Sequence, residues 1–272
     1  MPSKIEKSWI IAQKDLRQFW RDKQAAVPLI IVPLLIGGAL PAIMLLLLKT
    51  PSVQQQIGGV MSLVDRLPGY SGLGNLSAAE IAARIFAGYL LPSLILLIPI
   101  MLSTMSATAS FVGEKERKTL EGLLQTPLSI KELVAAKVMA SLGPSVLITW
   151  ASCAVLFTVF STVGASLLGR LGWLSWTWVI VTFLMVPLIA LLGVEVSVAV
   201  SGRSETVRAA QNMTSFLILP VLALLLSQVF GIMMLSPIVA LATSVALVII
   251  DWLLFVFVVS RMSSERLILG KV

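Results

Sequence analysis

The chain lacks histidine, has a single cysteine (Cys153) and is poor in charge, since Asp, Glu, Lys and Arg make up only 12% of its 272 residues. Soluble globular proteins carry about 25%. Without histidine, the chain holds no His-based triad, no HExxH motif and few of the usual zinc or iron sites. One cysteine excludes an internal disulfide. We therefore expect no catalytic residue, bound cofactor or metal in this chain.

Long apolar runs dominate instead, because 58% of the residues are hydrophobic and the mean hydropathy is +0.99. A membrane-spanning helix needs about 20 consecutive apolar residues. Five stretches without Asp, Glu, Lys or Arg reach that length, and the last is long enough for two spans. The sequence predicts an all-α polytopic membrane protein with a single transmembrane domain over residues 1–272. Its six spans lie at about 26–48, 85–112, 138–160, 173–198, 211–231 and 237–259.

The net charge of +7 is distributed as in a membrane protein rather than a nucleic-acid-binding protein. Cytoplasmic loops of membrane proteins collect Lys and Arg. If the N-terminus is cytoplasmic, 16 of the 20 basic residues fall on that side, and only Lys49, Arg66, Arg84 and Arg170 fall outside. Six spans then place both termini in the cytoplasm. We expect a multi-pass protein of the cell (inner or plasma) membrane that contacts lipid and binds no nucleic acid.

Residues 4–22 have the pattern of an amphipathic helix. Ile5, Trp9, Leu16 and Phe19 share one face at the 3.6-residue period, and Lys and Arg lie opposite. Aromatic residues facing basic ones suit a helix that lies in the inner membrane interface. The alternative is a solvated helix packed on other protein.

Three local patterns within the apolar stretches also predict structure. Ser77-Ala-Ala-Glu80 is a capping box that starts a helix leading into span 2. The tryptophans before span 4, Trp173, Trp176 and Trp178, suit an outer aromatic belt. Small polar residues in the inner half of span 2, such as Ser103 and Thr108, favour close helix packing, with a polar pathway as the alternative.

The segment between spans 2 and 3 is the most informative. It reads EKERKTLEGLLQTPLSIKELVAAK over Glu114–Lys137. Leu120, Leu123 and Leu124 can share one face of a short helix, Thr126-Pro127 breaks it, and Ser129-Ile-Lys-Glu132 is a second capping box. Such a helix can dock into a groove on another protein and pass rigid-body motion into both spans. The alternative is an ordinary charged loop on the cytoplasmic side.

This run resembles the signature of the ABC type-2 transporter permease family. The resemblance rests on Glu114-Lys-Glu-Arg117, Thr119-Leu120-Glu121, Leu124 and Thr126-Pro127-Leu128-Ser129, followed by Glu132 and Lys137. The basic helix ending in Arg21-Asp22-Lys23 is similar to the family's connecting helix. Ser201-Gly-Arg203, with Val207-Arg208-Ala209-Ala210-Gln211 and Pro220, is similar to its loop between spans 4 and 5. Some eukaryotic relatives place an extracellular helical element between spans 5 and 6. Here that connection is only a few residues long and the large outer loop follows span 1, which indicates a bacterial or archaeal type.

The resemblance implies a mechanism. Two six-span subunits, identical or different, would pair above two ATP-binding-cassette ATPase subunits, which hold ATP and Mg. This chain has no G-x-x-x-x-G-K-[ST] phosphate loop, so it needs such a partner and is not itself the enzyme. Residues 114–129 would carry the coupling helix that seats on the ATPase. The residues it assigns to ATPase coupling are Glu114, Glu116, Arg117, Thr119, Leu120, Glu121, Leu123, Leu124 and Pro127.

Glu195 and Asp251 are the only charged residues within the predicted spans. A charge at the bilayer centre costs about 2.5–3.5 kcal/mol on insertion scales, so such residues usually face the bundle interior or water. Both are candidates for a cation or proton site. Alternatively, Glu195 reaches the membrane interface, and Asp251 pairs with Arg203, Arg208 or a basic residue of the N-terminal helix.

Three functions compete at this point. The first is the permease subunit of an ATP-driven exporter. The second is an ATPase-independent secondary transporter or channel that uses Asp251 and Glu195 as ion sites. The third is an intramembrane enzyme. Proteolysis by an aspartyl pair would require two Asp residues within the membrane, and only Asp251 lies in a predicted span. The substrate stays open among lipids, amphipathic drugs, peptides, glycolipids and sodium.

Overall fold

The computed structural model describes residues 30–64, 76–116, 130–168, 174–230 and 235–261, and within these ranges it is helical with no strand. Six of its helices are long and apolar enough to cross a membrane. The predicted interfacial helix 4–22 and most of the segment 114–129 lie outside the described residues. Those two elements and the orientation of the termini stay predictions.

Spans 2 and 3 are the two that extend furthest beyond the apolar runs that predicted them. Span 2 begins seven residues earlier and ends four residues later than predicted, and span 3 begins eight residues earlier and ends two residues later. Two shorter helices, Pro51–Val64 and Ala165–Leu168, follow spans 1 and 3. The spans are Ile30–Leu48, Ala78–Glu116, Ile130–Thr162, Trp176–Ser201, Val207–Val229 and Pro237–Arg261.

Span 2 begins where the capping box predicted. The Ser77 hydroxyl accepts a hydrogen bond from the Glu80 backbone N–H at 3.3 Å, and the Glu80 carboxylate accepts one from the Ser77 backbone N–H at 2.7 Å. These bonds satisfy backbone donors that a helix N-terminus otherwise leaves open. The helix therefore starts at Ala78, seven residues before the predicted span.

Each of three spans contains a short π-helical segment, and each segment ends two residues before a proline. The segments are Leu35–Ala39, Phe86–Leu90 and Val181–Met185, and the prolines are Pro41, Pro92 and Pro187. A proline inside a helix lacks the N–H donor, and its ring clashes with the carbonyl four residues earlier. Here that carbonyl lies in the π-helical segment, whose turn is wider than that of an α-helix and leaves room for the ring. The prolines are thus accommodated inside continuous spans.

Spans 2 and 4 form the centre of the bundle and approach each other closely. A Cβ on Gly193 would lie 2.1 Å from the Ser103 hydroxyl oxygen and 3.3 Å from Cγ2 of Thr104. The hydroxyls of Thr104 and Thr108 donate to carbonyls of their own helix at 2.7 Å. The small polar residues of span 2 therefore serve packing, the first of the two interpretations.

The aromatic-belt prediction is wrong for one of its three tryptophans. Trp178 is 1% exposed and donates its indole N–H to the Ala87 carbonyl at 3.0 Å. Its large apolar ring fills the core between spans 2 and 4, and the hydrogen bond satisfies its one polar group. Trp176 is 74% exposed, as a belt residue should be, and Trp173 lies outside the described residues.

Candidate functional site

The ends of spans 2 and 3 that flank residues 117–129 are joined by a buried ion pair. The Lys137 ammonium of span 3 binds the Glu114 carboxylate of span 2, and both side chains are buried. The same ammonium donates to the Ser110 carbonyl at 2.7 Å and lies 5.2 Å from the centre of the Phe111 ring. A buried charge needs such a partner and further hydrogen bonds. The two helices are consequently fixed to each other at the root of the segment.

The last turn of span 2 is also tied to the connection between spans 4 and 5. Lys115 donates to the Ser204 carbonyl at 3.2 Å, and the Glu116 carboxylate accepts a hydrogen bond from the Val207 backbone N–H at 2.9 Å. Val207 is the first residue of span 5, so Glu116 helps to cap that helix and its charge suits the positive end of the helix dipole. Four spans therefore meet at this end of the bundle.

We call this set of contacts the root network. Its members are Glu114, Lys115, Glu116, Lys137, Ser204 and Val207.

Two of the predicted coupling residues, Glu114 and Glu116, belong to this network. Both carboxylates bind groups of this chain, namely Lys137 and the Val207 backbone N–H. They are therefore not side chains that face only a partner protein. The other predicted coupling residues lie outside the described ranges: Arg117, Thr119, Leu120, Glu121, Leu123, Leu124 and Pro127.

Three members of the root network had no assigned role in the sequence, namely Lys115, Lys137 and Ser204. The two lysines counted there as cytoplasmic positive charge and as part of the run that resembles the family signature. Lys137 is 2% exposed although it is a lysine, and lysines are almost never fully buried without a partner. The sequence did contain a signal for this ion pair. Glu114 and Lys137 have opposite charges, and each lies where the charged segment meets an apolar span.

Glu195 of span 4 and Asp251 of span 6 line the same cavity. The cavity has a volume of about 410 Å³, and span 3 completes its wall. The two acids are 6% and 4% exposed. Neither oxygen of Asp251 has a hydrogen-bond partner, and one oxygen of Glu195 has none. The structure thus brings together the two intramembrane acids that lie 56 positions apart in the sequence.

The pairings proposed for Asp251 with Arg203 and Arg208 are absent from the described part of the chain. A partner from the N-terminal helix lies outside it. The described residues also contain no cluster of three His, Cys, Asp or Glu side chains that could hold a metal ion. What remains is a carboxylate pair with apolar surroundings.

No curated protein and no solved structure gives a significant match. Residues 6–230 match the family described as ABC-2 type transporter, which is most of the chain. Together with the six apolar spans, the match identifies a multi-pass membrane transport subunit. The chain belongs to the ABC-2 type transporter membrane family.

Proposed function

We propose that this chain is the membrane-spanning subunit of an exporter, and that a separate ATP-binding-cassette ATPase drives it by docking on residues 114–129. Two copies of the ATPase and a second permease subunit would complete the assembly, with both termini of this chain in the cytoplasm. ATP and Mg would be bound by the ATPase.

The root network is the observation that carries this proposal. A docked segment transmits force only if both of its ends are fixed to the elements that must move. Residues 117–129 leave span 2 directly after Glu116 and enter span 3 at Ile130. The pair Glu114–Lys137 fixes these two spans to each other, and the contact of Glu116 with Val207 extends the connection to span 5. Displacement of the segment would then move several spans as one rigid unit.

The network also separates two roles within the predicted coupling residues. Leu120, Leu123 and Leu124, on the apolar face predicted from the sequence, would make contact with the ATPase. Glu114 and Glu116, with Lys137, would transmit the motion inside the permease. Changes to the first group should release the ATPase. Changes to the second group should leave it bound and impair coupling.

Purification of the detergent-solubilised chain from its native membrane tests the proposal. We expect an ATPase to co-purify with the wild-type chain, to be lost with Leu123→Ala and to be retained with Lys137→Met. Leu253→Ala is the matched control, because Leu253 is an exposed leucine of span 6 and does not belong to residues 114–129. If no ATPase co-purifies under conditions that keep the assembly intact, the ATPase-independent transporter becomes the better account.

A further inference from the structure

The cavity between spans 3, 4 and 6 has acidic groups that no described residue of this chain neutralises. Three carboxylate oxygens of Glu195 and Asp251 lack hydrogen-bond partners. None of the described residues that line the cavity is basic. Burial of an unpaired carboxylate is costly, so the pair must either stay protonated or receive a cation.

The remaining wall is apolar and partly aromatic. Nine of the eleven lining residues are Val, Leu, Trp or Phe, and they include Trp252 and Phe255 next to the acids on span 6. Aromatic ring faces attract cations, and the attraction strengthens where water is excluded. A bare metal ion fits this wall poorly, because Mg²⁺ and Ca²⁺ require about six or more oxygen ligands. An ammonium group on an apolar body matches both the acids and the wall.

The size and position of the cavity suit a small organic molecule. Its volume of about 410 Å³ lies in the range typical of ligand pockets, about 300–1,000 Å³. Trp252 and Phe255 are 66% and 53% exposed at the surface of the bundle. The cavity is therefore open at the side of this chain, where a ligand dissolved in lipid can reach it. Glu195 lies six residues before the end of span 4, about 9 Å along the helix at 1.5 Å per residue, at the same end as the root network.

We propose that this cavity binds a lipophilic organic cation, whose charged group lies between Glu195 and Asp251 and whose apolar body packs against the aromatic and aliphatic wall. None of the residues that line the cavity belongs to residues 114–129, which would dock the ATPase. Binding rests on the cavity alone. That the bound cation is the exported substrate rests on the proposed function.

Direct binding to the purified full-length chain in lipid nanodiscs, without ATP, tests the proposal. The probe is radiolabelled trimethyl(4-phenylbutyl)ammonium, and the competitor is its neutral isostere, in which a tert-butyl carbon replaces the charged nitrogen. We expect saturable binding of the cation and little competition by the isostere. Asp251→Asn and Glu195→Gln should each weaken binding about 10- to 100-fold, because each removes one of the two negative charges that attract the quaternary ammonium.

Matched variants keep this test specific. Glu205→Gln removes an exposed acid outside the cavity and should leave binding unchanged. Asp251→Glu keeps the charge and should retain most of the affinity, which separates loss of the site from loss of the fold. Trp252→Leu should weaken binding, whereas Trp176→Leu at an exposed position distant in the sequence should not.

Several results would overturn the proposal. These are the absence of saturable binding to the wild-type chain, equal competition by the neutral isostere, an equal loss with Glu205→Gln, and saturable binding of ²²Na⁺ that the organic cation does not displace. The proposed function would survive each of these results, since co-purification of the ATPase does not depend on this cavity. Conversely, failure to recover an ATPase would leave the binding result intact.

Discussion

The ammonium of Lys137 on span 3 binds the carboxylate of Glu114 on span 2, and both groups are buried where the two helices leave the bundle. The pair joins the two helices that flank residues 117–129 in the sequence. If residues 117–129 dock the ATPase as proposed, this pair would connect the docked segment to the rest of the bundle.

The effects of substituting Glu114 and Lys137 on thermal stability should depend strongly on each other. Removal of one member of a buried ion pair costs about 3–5 kcal/mol, whereas replacement of both members is often close to neutral. We expect Glu114→Gln and Lys137→Met each to lower the midpoint of thermal unfolding. The double variant should unfold well above the temperature that the sum of the two losses predicts. The measurement is the fraction of protein that stays monodisperse in detergent after heating.

Glu205→Gln is the control for this cycle, because Glu205 is an exposed acid near the same end of the bundle. Additive losses in the double variant would mean that the two groups are not energetically coupled. The root network would then carry no rigid connection between spans 2 and 3.

The contact between spans 2 and 4 should not tolerate a side chain at Gly193. A Cβ there would lie 2.1 Å from the Ser103 hydroxyl oxygen and 3.3 Å from its Cβ. Overpacking of this kind typically costs about 1–3 kcal/mol. We expect Gly193→Ala to lower the thermal midpoint, and Ser103→Ala to restore part of the loss in the same chain, because it removes the nearest atom.

Gly88→Ala is the matched control for overpacking. Apart from its chain neighbours and its own helix backbone, a Cβ at Gly88 meets no atom within 4 Å, and alanine favours a helix by up to about 1 kcal/mol over glycine. This variant should be neutral or slightly stabilised. A Gly193→Ala variant as stable as Gly88→Ala would show that spans 2 and 4 are further apart than described.

The start of span 2 should depend on the Ser77 hydroxyl. Loss of an N-cap side chain costs about 1 kcal/mol, and here the Glu80 carboxylate also loses the 2.9 Å bond it accepts from that hydroxyl. Ser77→Ala should speed hydrogen exchange of the amides in the first turn after Ala78, and Ser77→Thr should largely preserve their protection. Equal exchange in all three chains would mean that neighbouring protein, rather than the cap, fixes this helix end.

The six spans and the beginning of span 2 could be predicted because they follow from local sequence. A run of about 20 apolar residues has few alternatives to a membrane helix, and a capping box acts over four positions. Both signals are complete within a short stretch of chain.

Relationships between helices could not be predicted in the same way. Trp178 lies near the predicted membrane boundary in the sequence but is buried against Ala87 in the fold. No local sequence pattern distinguishes a buried tryptophan at such a position from one that faces the membrane interface.

Glu195 and Asp251 could each be recognised in the sequence as acids that are costly to place in a membrane. Their common cavity depends on spans 4 and 6 being neighbours, and span order around a bundle is not encoded in hydropathy. The same holds for Glu114 and Lys137, whose contact requires the two helices that flank the segment to be packed side by side.

A site-specific cross-link from the predicted coupling segment tests the central claim most directly. In a Cys153→Ser background, Leu123→Cys places a single thiol on the segment, and Gln56→Cys places one on the exposed helix that follows span 1. After treatment of native membranes with a thiol-reactive cross-linker, azido-ATP labelling detects any ATPase joined to the chain. The account predicts a labelled adduct with cysteine at position 123 and none at position 56. An adduct of equal yield at both positions, or none at position 123 in membranes where the ATPase is present, would contradict it.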